Sequence, residues 1–303
     1  MQAQPQQKQQ PPQTHQVVSA QPNSTKKPQS MGDFEVLSKL GTGSYSEVYK
    51  VTRKSDNVVY ALKKVSMENL STKERENAIN EVRILASIQH ENIIGFKESF
   101  TTDNGKTLCI VMDYATDGDL YQKIVKTKKD RSYFPEETVW KTLIQSLMAL
   151  AQLHELKIFH RDIKSANIFL YKNGSASLGD LNVSKVAKQG LLYTQTGTPY
   201  YASPEVWKDQ PYDSKSDLWS LGCVFYEMMS LVPPFRAKDM NGLFKKVTHG
   251  VFDEPPKVFS HDLIKLVTSM IKVNPKDRPT ADQLLRTPEV QAKMKALRLV
   301  SKP

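Results

Sequence analysis

"HRDIKSANIFL", residues 160–170, decides the reading of this chain. An Asp, a Lys two residues on and an Asn five residues on form a compact polar set between apolar segments. Asp162 suits a base that accepts the proton of a substrate hydroxyl. Lys164 suits a cation that neutralises a transferring phosphoryl group, and Asn167 suits a metal ligand. Asp180, thirteen residues beyond Asn167, adds a second hard oxygen donor of the kind that Mg²⁺ prefers. A polar loop with an N-cap Asp is the plainer reading of any one of these residues. The whole set in this order outweighs it.

Upstream, "LGTGSYSEV" runs from Leu40 to Val48. Two glycines, Gly41 and Gly43, between strand-like segments allow a tight hairpin whose N–H groups approach phosphates. Ser46 stands where a third glycine is usual; it keeps the turn small and limits one close backbone approach. Alone, this is a Gly-rich hairpin and no more. "YALKKV" adds weight, because alternate residues of a strand share a face. Ala61 and Lys63 then face together, so a flat adenine rests on the small Ala while the ammonium reaches phosphates. Glu81, in the helical stretch that follows, is the matching partner for Lys63; Glu74 and Glu76 read as ordinary surface residues.

The wider pattern has two parts. "FEVLSKL", "SEVYKVTRK" and "NVVYALKKV" read as consecutive strands from Phe34 onward, and "KTLCIVMDY" as a more buried one. A polar helix is expected over about 69–89. After Asp119 the chain turns helical, most clearly over 135–156, with Pro135 in the first turn and Val139, Leu143, Leu147 and Leu150 at helical spacing. A β-rich part followed by an α-rich part suggests two lobes. Residues 1–30 are rich in Gln, Pro, Ser and Thr with few apolar anchors, and read as disordered.

Of the net charge of +10, most lies at the ends: Lys8, Lys26 and Lys27 near the start, and Lys293, Lys295, Arg298 and Lys302 near the finish. Solvated tails explain this better than nucleic-acid binding. "KTKKDR" at 126–131 reads as solvated surface. No apolar run reaches membrane-spanning length, no secretion signal is expected, and Gln2 departs from the myristoylation pattern. Cys109 and Cys223, far apart in apolar surroundings, read as buried reduced thiols.

From about Asp33 to Glu289 the chain resembles the eukaryotic protein kinases. The resemblance rests on the Gly loop, Ala61-Leu62-Lys63, Glu81, His160-Arg161-Asp162, Asn167, Asp180, Ser203-Pro204-Glu205, Asp217-Leu218-Trp219-Ser220-Leu221-Gly222 and Arg278. Lys164-Ser165 resembles the Ser/Thr class, and "GTPYYASPEVW" with "SANIFL" resembles the NIMA-related (Nek) kinases. The resemblance implies an α+β, bilobal fold. A Gln/Pro-rich tail (1–32) precedes a small antiparallel N-lobe with one main helix (about 33–113). A larger helical C-lobe (about 117–289) and a basic tail (290–303) follow.

It also implies roles. ATP would be held by Leu40, Gly41, Gly43, Ser46, Val48, Ala61, Lys63, Met112, Asp113, Ala115 and Phe169, with Met112 at the back of the pocket. Backbone groups of Asp113 and Ala115 would meet the adenine edge. Mg²⁺ would be held by Asn167 and Asp180. Asp217 would brace the catalytic loop, and Glu205 and Arg278 would form a buried ion pair. Thr198 would position the substrate. Thr194 and Thr196 would be regulatory phosphorylation sites, read by Arg161 and Lys185. Asp119 has two open readings, a ribose or substrate contact and the N-cap of the helix beginning "LYQKIV". Partners would be protein substrates with Ser or Thr, by resemblance cytoskeletal or ciliary ones. The location would be cytoplasmic, extending to cytoskeleton, cilium or nucleus. Many Nek kinases carry long C-terminal coiled coils, so the chain reads as a short member or as part of a longer one.

Where the family usually reads Asp-Phe-Gly, this chain reads Asp180-Leu181-Asn182. Asp180, the metal ligand, is intact. Leu181 is smaller than Phe but apolar, and Asn tolerates positive φ better than most residues. An active enzyme is expected, with an ATP-binding scaffold as the alternative.

Overall fold

The computed structural model describes residues 30–43, 46–68, 70–181 and 199–299; the side chain of Glu81 lies outside what is described. Five strands form one antiparallel sheet in the order β1-β2-β3-β5-β4. They are β1 (Phe34–Thr42), β2 (Ser46–Arg53), β3 (Val58–Ser66), β4 (Phe96–Thr102) and β5 (Thr107–Asp113). Helix α1 (Thr72–Ser87) lies between β3 and β4 in the chain. The pleat sorts the sheet into two faces. Val51, Tyr60, Leu62, Cys109 and Val111 close one small core with Phe34. Ile110 and Leu108 point the other way and pack with Met67, just after β3, and with Val82 of α1.

One element differs from the sequence reading. No strand is expected over 96–102, yet β4 pairs with β5 there. It lies at the sheet edge and alternates between half-buried and exposed positions, so it lacks the apolar run that marks β5. Glu74 is exposed on α1, as expected, and in addition closes its capping box, its carboxylate accepting from the Ser71 N–H at 2.8 Å.

The second part is helical. It contains α2 (Leu120–Lys129), α3 (Glu136–Glu155), α4 (Pro204–Trp207), α5 (Ser214–Ser230), α6 (Met240–His249), α7 (His261–Met270), α8 (Ala281–Leu285) and α9 (Pro288–Ala296). Pro135 occupies the N-cap of α3 rather than its first turn, and Glu136 and Glu137 fill that turn. α3 and α5 are the core of this lobe. Leu143, Ile144, Leu147 and Leu150 of α3 and Trp219, Leu221, Val224 and Phe225 of α5 are fully buried. Gly222 is required there. A Cβ on it would stand 2.8 Å from Met270 Cβ and 2.9 Å from Ile271 Cγ1, so α5 and α7 pack at glycine distance. The bilobal α+β architecture expected from the sequence is present, and both cysteines are buried and free.

Candidate active site

The sheet supplies the upper wall of the site. Directly paired residues of antiparallel strands point to one face. Gly41 pairs with Val48, Val48 with Lys63, and Ala61 with Met112. The same face therefore carries Val48, Ala61, Lys63 and Met112, and Met112 packs toward the α1 core. Two register shifts in the β1–β2 pairing bend the hairpin. The Gly43 N–H donates to the Ser46 carbonyl at 2.7 Å and closes it. A Cβ on Gly41 would meet nothing within 4 Å, so that backbone borders open space, while one on Gly43 would stand 2.9 Å from Ser46 Oγ. Leu40 is exposed beside them, and Ala115 is buried where the chain leaves the sheet. The Asp113 N–H donates to Gly95 O at 2.9 Å. The expected adenine contact at Asp113 thus falls to its carbonyl. Its carboxylate pairs with Lys97 at 2.8 Å.

The lower wall is the 160–181 segment. A short 3-10 turn at Ser165–Asn167 leads into the two-stranded ribbon of β6 (Ile168–Leu170) and β7 (Ala176–Leu178). The turn folds the three polar residues onto one another. Lys164 Nζ donates to Asp162 Oδ2 at 3.0 Å, and Asn167 Nδ2 donates to the Asp162 carbonyl at 2.7 Å and to its Oδ2 at 3.2 Å. Asn167 is buried, and with its nitrogen committed to Asp162 its oxygen is the end left to face a metal. Ile168 is fully buried, and Phe169 turns to the opposite face of β6. The Phe169 ring lies so close to Gly179 that a Cβ there would stand 2.7 Å from it.

Asp180 follows in the left-handed region, with φ 55°. Its Oδ1 accepts from Lys63 Nζ at 2.5 Å, which ties the two walls together. Burial pushes the Asp180 carboxyl up, but the charge and hydrogen bond of Lys63 outweigh it and hold the pKa below the usual carboxylate range. Leu181 is 7 % exposed and belongs to the core of the helical lobe, so its slot is apolar and filled.

Asp217, at the N-terminal end of α5, holds this segment from within. Its carboxylate accepts from the backbone N–H groups of His160 at 3.0 Å and Arg161 at 3.1 Å, from His154 Nε2 at 2.8 Å and from the Tyr212 hydroxyl. Burial opposes its charge, yet these donors keep its pKa depressed. His160 is wholly buried, and burial lowers its pKa. Its Nε2 lies 3.1 Å from the Gly179 carbonyl; a carbonyl can only accept, so Nε2 carries the proton. Glu205 and Arg278 meet in a buried two-pronged ion pair, 2.7 Å on both arms, with Ser216 Oγ also donating to Glu205. The Arg161 guanidinium stands over the Tyr212 ring at 5.8 Å.

Asp119 is the N-cap of α2: its carboxylate accepts from the Gln122 N–H at 2.9 Å. Glu81 lies in α1 with its side chain outside the described residues, as are Asn182, Lys185, Thr194, Thr196 and Thr198 entirely. Three features escape sequence reasoning. His154 and Tyr212 complete the shell around Asp217. Tyr201 joins Ser165, at 3.0 Å, to Glu227, at 2.7 Å. Lys97 pairs with Asp113. The His154, Tyr201 and Lys97 contacts join residues well apart in sequence and leave no local pattern; Tyr212 is only five residues from Asp217, but its place two residues before α5 gives no sign of that bond.

This architecture and polar cluster define a protein kinase. The family model described as "Protein kinase domain" matches residues 34–289, and the chain belongs to that family. Among its relatives, the chain is 39% identical over 273 residues to the probable serine/threonine-protein kinase nek2 of Dictyostelium discoideum, covering 89% of this chain and 65% of that one. It is 40% identical over 257 residues to mouse serine/threonine-protein kinase Nek1, covering 84% of this chain and 21% of Nek1. It is 35% identical over 268 residues to human serine/threonine-protein kinase Nek2, covering 86% and 60%. The chain thus spans less than two thirds of the length of these relatives.

The family implies ATP and Mg²⁺. The residues present fit both. Asn167 and Asp180 offer hard oxygens beside one another's segments. Gly41 leaves backbone open to a phosphate, and Val48, Ala61 and Met112 form an apolar face for a base.

Proposed function

We propose that the chain transfers the γ-phosphoryl group of Mg-ATP to Ser and Thr hydroxyls of proteins. The observation that carries this reading is the closure of Asp162, Lys164 and Asn167 onto one another opposite the Lys63–Asp180 pair. Bound Mg-ATP supplies the phosphoryl group and the divalent charge that neutralises it. Asp162, oriented by Asn167 and Lys164, accepts the proton of the substrate hydroxyl. Lys164 lies where developing negative charge needs a cation, and Lys63 and Asp180 fix the relation of the two lobes. Incorporation of radiolabelled phosphate into a generic Ser/Thr substrate, beside an Asp162→Asn control, tests the reading. Incorporation no higher than in that control would leave an ATP-binding scaffold instead.

Activity is controlled by phosphorylation of Thr194 or Thr196. Phosphate brings up to two negative charges, and Arg161 beside the catalytic Asp with Lys185 supplies the basic partners. Thr198 positions the substrate. Mass spectrometry of autophosphorylated protein should find phosphate at Thr194 or Thr196, and the double Ala variant should lose most activity. Full activity in that variant removes the switch. Resemblance to the Nek kinases supports cytoskeletal or ciliary proteins as substrates and a cytoplasmic site of action; imaging of a tagged chain against tubulin tests it.

A further inference from the structure

Helix α6 buries Leu243 and Val247 and leaves Met240 and Phe244, one turn apart, 45 % and 39 % exposed. Scattered apolar side chains on a surface are ordinary. These two are not scattered. The Phe244 ring meets the Trp207 ring of α4 edge-on, 5.9 Å between centroids at 63°, so one side of the exposed ring is already fixed. The result is a preorganised apolar anchor point, of the aromatic kind that dominates protein interfaces.

Its rim is positive. Lys208 follows Trp207, Lys238 precedes α6, and Lys245 adjoins Phe244; all three are exposed. None of these three makes an ion pair among the described residues. The exposed acids on the same two segments are Asp209 and Asp239, and the Asp239 carboxylate is engaged in capping α6, accepting from the Gly242 N–H at 2.7 Å. The surface is therefore apolar at its centre and cationic at its edge.

We propose that this α4–α6 face docks an acidic segment of a protein substrate, with an apolar side chain of that segment seated against Phe244 and Met240. Charge selects the occupant. A second copy of the chain would set cations against cations. The chain's own ends carry Lys8, Lys26 and Lys27, and Lys293, Lys295, Arg298 and Lys302, so they are repelled as well. Position suits a substrate: α4 continues directly from the Tyr200–Tyr201 segment, and Tyr201 bonds to Ser165 of the catalytic loop. A segment held at α6 is tethered beside the site, which raises the effective concentration of its hydroxyl. The inference rests on the proposed kinase activity for the word substrate, and on the surface alone for the binding.

The test separates the two. Fluorescence anisotropy of the full chain is measured with a labelled twelve-residue peptide of alternating Glu, Leu and Phe, and with the same peptide carrying Lys for Glu. The acidic peptide should bind, more weakly at high salt, and the basic one should bind at least about tenfold less. Phe244→Ala, which also gives up its packing on Trp207 and is compared under conditions where it is fully folded, and Lys245→Glu, a purely surface change with unaltered thermal unfolding, should each weaken the acidic peptide at least about fivefold. Equal binding of the two peptides, or wild-type binding by both variants, overturns the proposal. So does self-association in sedimentation that Phe244→Ala abolishes. In a second arm, a Ser acceptor peptide is joined to the acidic segment by a Gly/Ser linker. The linked peptide should show a lower KM than the unlinked one in the wild type and not in Phe244→Ala, with kcat on the unlinked peptide unchanged. Binding without phosphotransfer sinks the kinase reading and leaves the docking surface; phosphotransfer without the KM difference sinks docking and leaves the kinase.

Discussion

Lys63 Nζ stands 2.5 Å from Asp180 Oδ1, across 117 residues of chain, and is a charged contact that joins the sheet to the segment after β7. Lys63→Met removes the cation that holds the Asp180 carboxyl below its usual pKa. The variant also loses the ammonium proposed to reach the phosphates of ATP. Phosphotransfer should fall by about 10²–10³-fold or more. Lys63 is part-buried and its partner lies in the other lobe, so thermal unfolding should change little. Radiolabel incorporation and circular dichroism on the same preparation check both halves.

The Glu205–Arg278 pair predicts a stability effect instead. Both side chains are nearly or wholly buried, 5 % and 0 % exposed. Arg278→Ala strands the Glu205 carboxylate and should lower stability by ~3–5 kcal/mol. Burial raises the Glu205 pKa and the Arg278 hydrogen bonds and charge lower it, with a net depression. A carboxyl depressed in the folded state stabilises above its unfolded pKa and loses that contribution as pH falls through the folded value. The gap between wild type and Arg278→Ala should therefore be full at pH 7 and shrink below about pH 4. Urea midpoints at the two pH values measure it; an unchanged gap would mean that Glu205 titrates normally.

Leu181 tests the departure from Asp-Phe-Gly. Its apolar side chain is buried in the helical-lobe core and has no polar atom to offer the reacting groups. Leu181→Phe should change activity only modestly. Leu181→Ala opens a cavity and should destabilise by ~2–5 kcal/mol. A rise of several orders of magnitude in Leu181→Phe would mean that Leu181 holds the natural chain off.

How much of this is legible in the chain follows from how local each relationship is. Asp162, Lys164 and Asn167 sit within six residues, so the turn that joins them is written in one segment. Ala61 and Lys63 are legible because a strand repeats every two residues. β4 is not, because an edge strand with Lys97 and Glu98 exposed or half-buried has no distinguishing apolar run; its place is set by pairing with β5 and by the Arg53–Glu98 ion pair, 45 residues apart. Asp119 illustrates a different limit. Its N-cap geometry follows from the residue that begins "LYQKIV", but Asp suits a cap and a ribose hydroxyl equally, and sequence alone does not choose.

Glu227 supplies the last prediction, with the opposite sign to Glu205. It is buried on α5 and accepts from the Tyr201 hydroxyl at 2.7 Å. Because Tyr201 donates there, its oxygen accepts from Ser165 Oγ at 3.0 Å, and one chain of hydrogen bonds links α5 through the 199–203 segment to the catalytic loop. Burial pushes the Glu227 carboxyl up more than Tyr201 and Ser165 bring it down, so its pKa is raised. A group raised in the folded state contributes stability that is complete below its unfolded pKa and is lost as pH rises through the folded value. Glu227→Gln keeps an acceptor for Tyr201 and has no charge to bury. Its stability relative to wild type should therefore improve on going from pH 5 to pH 8. Tyr201→Phe leaves both Ser165 and Glu227 short of a partner and should destabilise by ~1–3 kcal/mol at either pH, with KM for protein substrate rising more than KM for ATP. Denaturation of the two variants at both pH values separates the charge from the hydrogen bond. An Glu227→Gln curve that runs parallel to wild type from pH 5 to 8 would show that Glu227 carries the same charge folded and unfolded throughout that range.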